Sequence, residues 1–445
     1  MLNYSGVDNL GTSLQRSIDY TTPIRTAFDF YIYSDFTEAG STPAKQFKLP
    51  LEATGDYDFV VDWGDGTIDE ITTWNQAETT HTYAVTNFYR IQITGKIVGF
   101  SFNNGGDKIK MLRIDNWGPL ELGPTGQNFL RCTNLTIIAN DAPTLGPGAS
   151  LASAFSVITN ITGNINNWDV SNVQDFSFCF AGTQNFNKEV SAWNMSNATT
   201  IRGMFTACTA FNQPVNSWNT SNISGLGFEI VFNNCPSFNQ PLNNWNVSQA
   251  TSLKALLNNT AFNHPLTNWN VANVTDFTQL FSASSFNEDI SSWDTSSANN
   301  MASMFQNSVF NQPINTWNTS NVTDMRFMFT NTPFNQSLSS WNVSSVTTMQ
   351  SMFSNVPAVT PPVFDQDLSS WDISSVSNLS GFMDGQTLST SNYDPVLIAW
   401  DALTVQSSVT ASFGNSQYSA GAPATARNSL ITNDSWTITD GGQAP

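Results

Sequence analysis

The stretch FNQPINTWNTSNVTDMRFMF, Phe310 to Phe329, decides the architecture, because it is one copy of a repeat. Its tryptophan recurs at 168, 193, 218, 245, 269, 293, 317, 341 and 371, at intervals of 25, 25, 27, 24, 24, 24, 24 and 30. The two longest intervals carry extra residues, around Gly225 to Ile230 and in the Pro-rich Val356 to Pro362. Both insertions fall between apolar positions, where a surface loop absorbs them. Within a copy, Ile314-x-x-Trp317-x-Thr319 has the spacing of a leucine-rich-repeat strand. Alternate residues of such a strand are buried, and the Asn or Asp between them faces out. Val322, Met325, Met328 and Phe329 follow at offsets of three, six and seven, which predicts a helix of about two turns.

One strand and one short helix cannot bury an apolar side alone, so the copies are expected to stack over a continuous core. The expected fold is an α/β solenoid of leucine-rich-repeat type, about nine strand-helix coils and on the order of 45 Å long at the usual strand spacing. Trp, Phe and Met form its interior ladders. The asparagines of each F-N-Q (Asn187, Asn212, Asn239, Asn263, Asn287, Asn311, Asn335), with Asp365 last, are expected to stack as a hydrogen-bonded column.

Composition agrees with an uncharged repeat. The 445 residues include 15 Lys+Arg and 34 Asp+Glu, so 11% are charged and the net charge is −19. A typical protein is about 25% charged. Acidity without basic clusters excludes a nucleic-acid partner. No run approaches the roughly 18 apolar residues of a membrane span, so no membrane insertion is expected. The 32 Phe, 14 Trp and 11 Met exclude a disordered chain. Four cysteines are too few for a disulfide scaffold, and Cys208 and Cys235, at equivalent places in neighbouring copies, are expected to be reduced filler.

Ahead of the repeats, Phe59-Val-Val-Asp-Trp-Gly-Asp-Gly-Thr67 reads as strand and tight turn, followed by His81-Thr-Tyr83 and a further strand at Tyr89 to Ile93. W-G-D-G-T with H-T-Y resembles the polycystic-kidney-disease (PKD) module, an immunoglobulin-like β-sandwich. The repeat unit, with flanks such as Asp115-Asn-Trp117-Gly118 and Trp436-Thr-Ile-Thr-Asp-Gly-Gly442, is similar to the BspA-type leucine-rich-repeat surface proteins of Bacteroidetes and their viruses. The expected division is an attachment segment at 1–27, a PKD-like sandwich at 28–98, an N-terminal cap with the first irregular coils at 99–160, the solenoid at 161–386 and a C-terminal cap at 387–445.

The BspA resemblance implies surface display for adhesion or recognition, with no catalytic residues and no cofactor. The opening MLNYSGVDNLGTSLQRSIDY has no secretion-leader pattern, and no C-terminal anchor is visible. The expected function is therefore a non-enzymatic virion component, a fibre, spike or head decoration on the virion surface. The N-terminal segment would dock on other virion structural proteins, and the repeats would meet a host surface glycan or protein. A bacterial cell-surface adhesin is the alternative, and a polysaccharide-active enzyme a further one; self-association is left open.

Candidate chemistry is sparse. His81 and His264 are the only histidines, and a packing role suits each better than general-base work. Asp62 and Asp65 flank a glycine turn; they could ligate calcium, but they lack the full calcium-loop pattern and suit turn capping. Asp365, Asp367 and Asp372, and Glu288, Asp289 and Asp294, lie in separate copies as solvated loop acids. The candidate ligand-binding residues are Asn219, Asn244, Asn246, Asn268, Asn270, Asp294 and Asn318, a regular outward field of short donors and acceptors. N-x-S/T triplets recur as a by-product of the repeat.

Overall fold

Phe28, Phe30 and Ile32 are fully buried at alternate positions and start the first sheet, with Asp29 between them buried against Arg90. A computed structural model describes residues 27–356 and 363–445. The strands of its N-terminal part are β1 (Phe28–Tyr33), β2 (Gln46–Lys48), β3 (Leu51–Asp62), β4 (Ile68–Ile71), β5 (Thr80–Thr82), β6 (Phe88–Phe100), β7 (Met111–Asn116), β8 (Leu120–Glu121), β9 (Thr136–Ile137) and β10 (Asn160–Ile161). The sheet order is β10-β9-β7-β1-β6-β3-β4, with β8 beside β6. Pairing is antiparallel from β4 to β7 and parallel from β7 to β10. β2 and β5 form a separate antiparallel pair. This corrects the expected immunoglobulin-like sandwich. Both edges of β7 are used, β1 on one and β9 on the other, so the N-terminal strands run into the first repeats as one eight-stranded mixed sheet. All of the attachment segment but its last residue lies outside the described residues.

The expected strand-helix coils are not formed either, so the α/β leucine-rich-repeat solenoid is not the fold. Among the described residues the α-helices, α1 (Thr390–Asp401) and α2 (Ala422–Thr432), both follow the repeats, together with the parallel pair β11 (Thr410–Ser412) and β12 (Thr437–Thr439). The repeat backbone is built of turns. In the expected helix, Met328 and Thr330 donate their N–H groups three residues back, to Met325 and Phe327. The alternate residues Met325, Phe327, Phe329 and Asn331 donate instead to Thr348, Gln350, Met352 and Ser354 of the next repeat. Phe327 and Asn331 have φ near +58° and +56°, a left-handed conformation no α-helix contains. The offsets of three, six and seven do face inward, but through successive turns. In the expected strand, Trp317 donates to Ile314 in a turn, so Trp317 and Thr319 are buried around exposed Asn318 without strand pairing.

Single parallel bridges join consecutive repeats, running Ser252, Asp276, Asn300, Asp324, Thr348 and Asn378. Aromatic columns continue the stacking. Trp269, Trp293, Trp317 and Trp341 stack at centroid spacings of 6.3–6.4 Å with planes within 7°. Phe281, Phe305, Phe329 and Phe353 stack at 5.6–5.8 Å. Each well-placed aromatic pair adds about 0.5–1.5 kcal/mol beyond its area burial. Met301, Met304, Met325, Met328, Met349 and Met352 are fully buried among them.

The asparagine column is present and accounts for the amide-rich composition. Oδ1 of Asn187, Asn212, Asn239, Asn263, Asn287, Asn311 and Asn335 each accepts the backbone N–H of its counterpart one repeat on, at 2.8–3.1 Å. Asp365 ends the column by accepting from Ser389 and Asn392, next to α1. A turn-built backbone leaves N–H groups that neither helix nor sheet satisfies, and those along this column, exposed or half-buried, take side-chain partners. Short neutral carboxamides supply them without the desolvation cost of a charge.

Candidate recognition face

The exposed rows beside the tryptophan column hold every residue expected to bind a ligand. Asn219, Asn246, Asn270, Asp294 and Asn318 each follow a buried Trp, and all five are exposed. Each also has a structural task. Its Oδ1 accepts the N–H two residues on, that of Ser221, Ser248, Ala272, Ser296 or Ser320, at 3.0–3.1 Å. This is the Asx turn that Asn and Asp form by preference. The Ser221 and Ser320 hydroxyls donate to the same oxygens. The Asp294 carboxyl is held below the usual range by hydrogen bonds from the Ser296 side chain and backbone.

Asn244 and Asn268 differ. Their backbone N–H groups donate to Oδ1 of Asn216 and Asn243 in the preceding repeat, at 2.9 Å. Their own carboxamides make no hydrogen bond among the described residues and face solvent. The face therefore offers free amide N–H groups along one row and whole carboxamides at Asn244 and Asn268. Its chemistry is hydrogen bonding that recurs from repeat to repeat, neutral except at Asp294.

The remaining candidates are accounted for by structure. His81 Nε2 lies 2.9 Å from Asp65 Oδ2, and the ring stacks on Trp63 at 4.9 Å. Asp62 and Asp65 cap the turn through the N–H groups of Gly64 and Thr67. Burial alone would raise the Asp65 carboxyl, and hydrogen bonds from His81 and Thr67 outweigh it and hold the group low. His264 Nε2 lies 3.0 Å from the Asn239 carbonyl, the place where, two and three repeats further on, Gln312 and Gln336 donate to the Asn287 and Asn311 carbonyls. Asp289, Asp367 and Asp372 each accept the N–H two residues on, so those acids serve separate turns.

All four cysteines are buried and unbonded to one another. Cys208 and Cys235 donate to the Phe180 and Phe205 carbonyls, as Thr183 does to Phe155. Burial pushes the Cys235 thiol up to about 12 and the other three well up, away from thiolate reactivity. Among the described residues no group of three or more His, Cys, Asp or Glu could hold a metal, and no helix is long and apolar enough to cross a membrane. Sequence reasoning missed Trp74. It lies outside the tryptophan period, in the polar run Thr72-Thr-Trp-Asn-Gln76, and that isolation was the available signal.

Comparison with curated proteins and with solved structures finds no match. A family profile described as "Mycoplasma protein of unknown function, DUF285" matches residues 149–261, 213–312, 253–362 and 305–420. These overlapping matches run from 149 to 420, more than half of the chain, and are consistent with a BspA-like repeat. With its turn-built repeats stacked across that span, the chain belongs to the DUF285 family.

Proposed function

We propose that this chain is a non-enzymatic, surface-displayed recognition protein whose repeat face contacts a host surface glycan or protein. One observation carries the reading: hydrogen-bonding groups, neutral except at Asp294, recur from repeat to repeat on a backbone whose own donors are satisfied by the neighbouring repeat. Such a face is preorganised, so binding it orders few side chains. The setting we propose is the surface of a bacteriophage virion, with residues 1–27 attached to other virion structural proteins. The resemblance of the repeat to surface proteins of Bacteroidetes and their viruses supports that setting. The PKD-like resemblance rests on the W-G-D-G-T and H-T-Y motifs, and we read it as a local likeness of that turn.

Asn244 and Asn268 allow a clean test, since their side chains support no turn. The double change Asn244→Ala and Asn268→Ala should lower binding of the labelled chain to host envelopes at least several-fold while leaving the thermal midpoint within a few degrees. Unchanged binding would sink the repeat-face reading. Mass spectrometry of purified particles tests the setting: absence of the chain there, with its presence on bacterial cells, would favour a cell-surface adhesin.

A further inference from the structure

Thirteen of the fourteen tryptophans are buried, none more than 5% exposed, whereas Trp74 is 43% exposed. It is nevertheless held in place. The loop after β4 is tied by Gln76, whose Oε1 accepts the N–H groups of Thr72 and Thr73 at 2.9 and 3.2 Å and whose Nε2 donates to the Glu70 carbonyl at 2.7 Å. An exposed aromatic ring on a loop whose backbone is already ordered can meet a ligand at little further backbone cost.

Trp74 borders a cleft of about 280 Å³ whose floor includes Leu51, Ser101 and Phe102. A second cleft, of about 380 Å³, shares Leu51 and Ser101 and continues past Glu52, Asn103, Thr125 and Gln127. The two make one groove between the N-terminal sheet and the first repeats. Its polar groups divide sharply. Asp107 is saturated by Thr42, Lys48 and Lys110, which locks the 42–48 loop as one wall. The carboxamides of Asn103 and Gln127 have no partner among the described residues. Glu52 takes the Thr125 hydroxyl on Oε1, while its Oε2 is buried against Gly99 and Gly123 without a hydrogen-bond partner.

We propose that this groove is a carbohydrate-binding site, separate from the repeat face, with the apolar face of one sugar ring on Trp74 and the hydroxyls of its neighbour on Asn103, Gln127 and the Glu52–Thr125 pair. A pyranose has one apolar face and a rim of neutral donors and acceptors, and the groove offers one flat ring beside carboxamides and a hydroxyl.

Because the other tryptophans are buried, iodide quenching of the full chain's fluorescence reports Trp74, and Trp74→Phe should remove the quenchable part. On a defined glycan array at least one saccharide should bind, and in solution it should shield Trp74 from iodide. Trp74→Ala should weaken that saccharide at least tenfold and Asn103→Ala several-fold, with near-UV circular dichroism unchanged. Asn244→Ala with Asn268→Ala should leave it untouched. The proposal is overturned if no arrayed saccharide shields Trp74, if Trp74→Ala binds like the parent, or if a peptide library in place of sugars protects the ring. Loss of binding only on the repeat-face change would overturn it while favouring the repeat face.

Discussion

Asn246 faces solvent, yet its oxygen is occupied by the N–H of Ser248. The same holds at Asp169, Asp294 and Asp372, where an acid stands in for the amide and accepts from Ser171, Ser296 and Ser374. In all three, hydrogen bonds from the following serine, its hydroxyl first, hold the carboxyl below its ordinary range. A carboxyl depressed in the folded state contributes stability above its unfolded value, and that contribution is lost as pH falls through the folded value. Below the unfolded aspartate value of about 3.9, these three turns should therefore loosen while the asparagine turns do not. Hydrogen exchange, corrected for intrinsic rates, should show Ser171, Ser296 and Ser374 losing amide protection on acidification, with Ser221 and Ser320 unaffected; equal loss at all five would refute this. Exposure of these positions was legible in the sequence from their alternation with Trp. Their use in turns was not, because it depends on a backbone conformation, although the recurrent N-x-S triplet is the Asx-turn pattern itself.

At the scale of the element, the expected helix shows where periodicity misleads. Residues at offsets of three, six and seven face one way on a helix, and they do so equally on a chain of turns. The deciding quantity is where alternate N–H groups go, and in this chain they go to the next repeat. That choice requires left-handed residues in each repeat, and Gln279, Ser303, Phe327 and Ser351 occupy the first such place at φ of +52° to +58°. Gly203 and Gly381 occupy it in other repeats. A left-handed conformation costs an L-residue roughly 1–2 kcal/mol, and glycine is free of that penalty but loses about 0.5–1 kcal/mol in unfolded-chain entropy. Gln279→Gly should therefore stabilise the protein by up to about 1 kcal/mol, read as a higher urea midpoint; a lower one would contradict the strain argument. The end of the repeat was legible in the sequence, since residues 387–445 depart from its pattern. The joining of the N-terminal strands to the repeats was not, because it rests on β7 pairing at both edges, a long-range choice that local pattern does not encode.

On the scale of the whole molecule, contacts pass from each repeat to its neighbours through the aromatic stacks, the single bridges and the asparagine column. The mixed sheet precedes the repeats in the chain, and α1 and α2 follow them. Repetition was legible throughout in the tryptophan spacing, whereas the Trp74 groove was not, being assembled from β3, the loop after β4 and the turns at 101–103 and 125–127. The asparagine column also bears on how such a gene can change. Every repeat brings both halves of the bond, an N–H for the repeat before and a carboxamide for the repeat after. A whole unit can thus be lost or duplicated by unequal recombination without any new complementary residue having to arise. Excising residues 293–316, one Trp-to-Trp period, should leave a protein that unfolds cooperatively with its two ends intact, whereas removing half that length should not. Length, in this lineage, is a trait that can vary in a single genetic step.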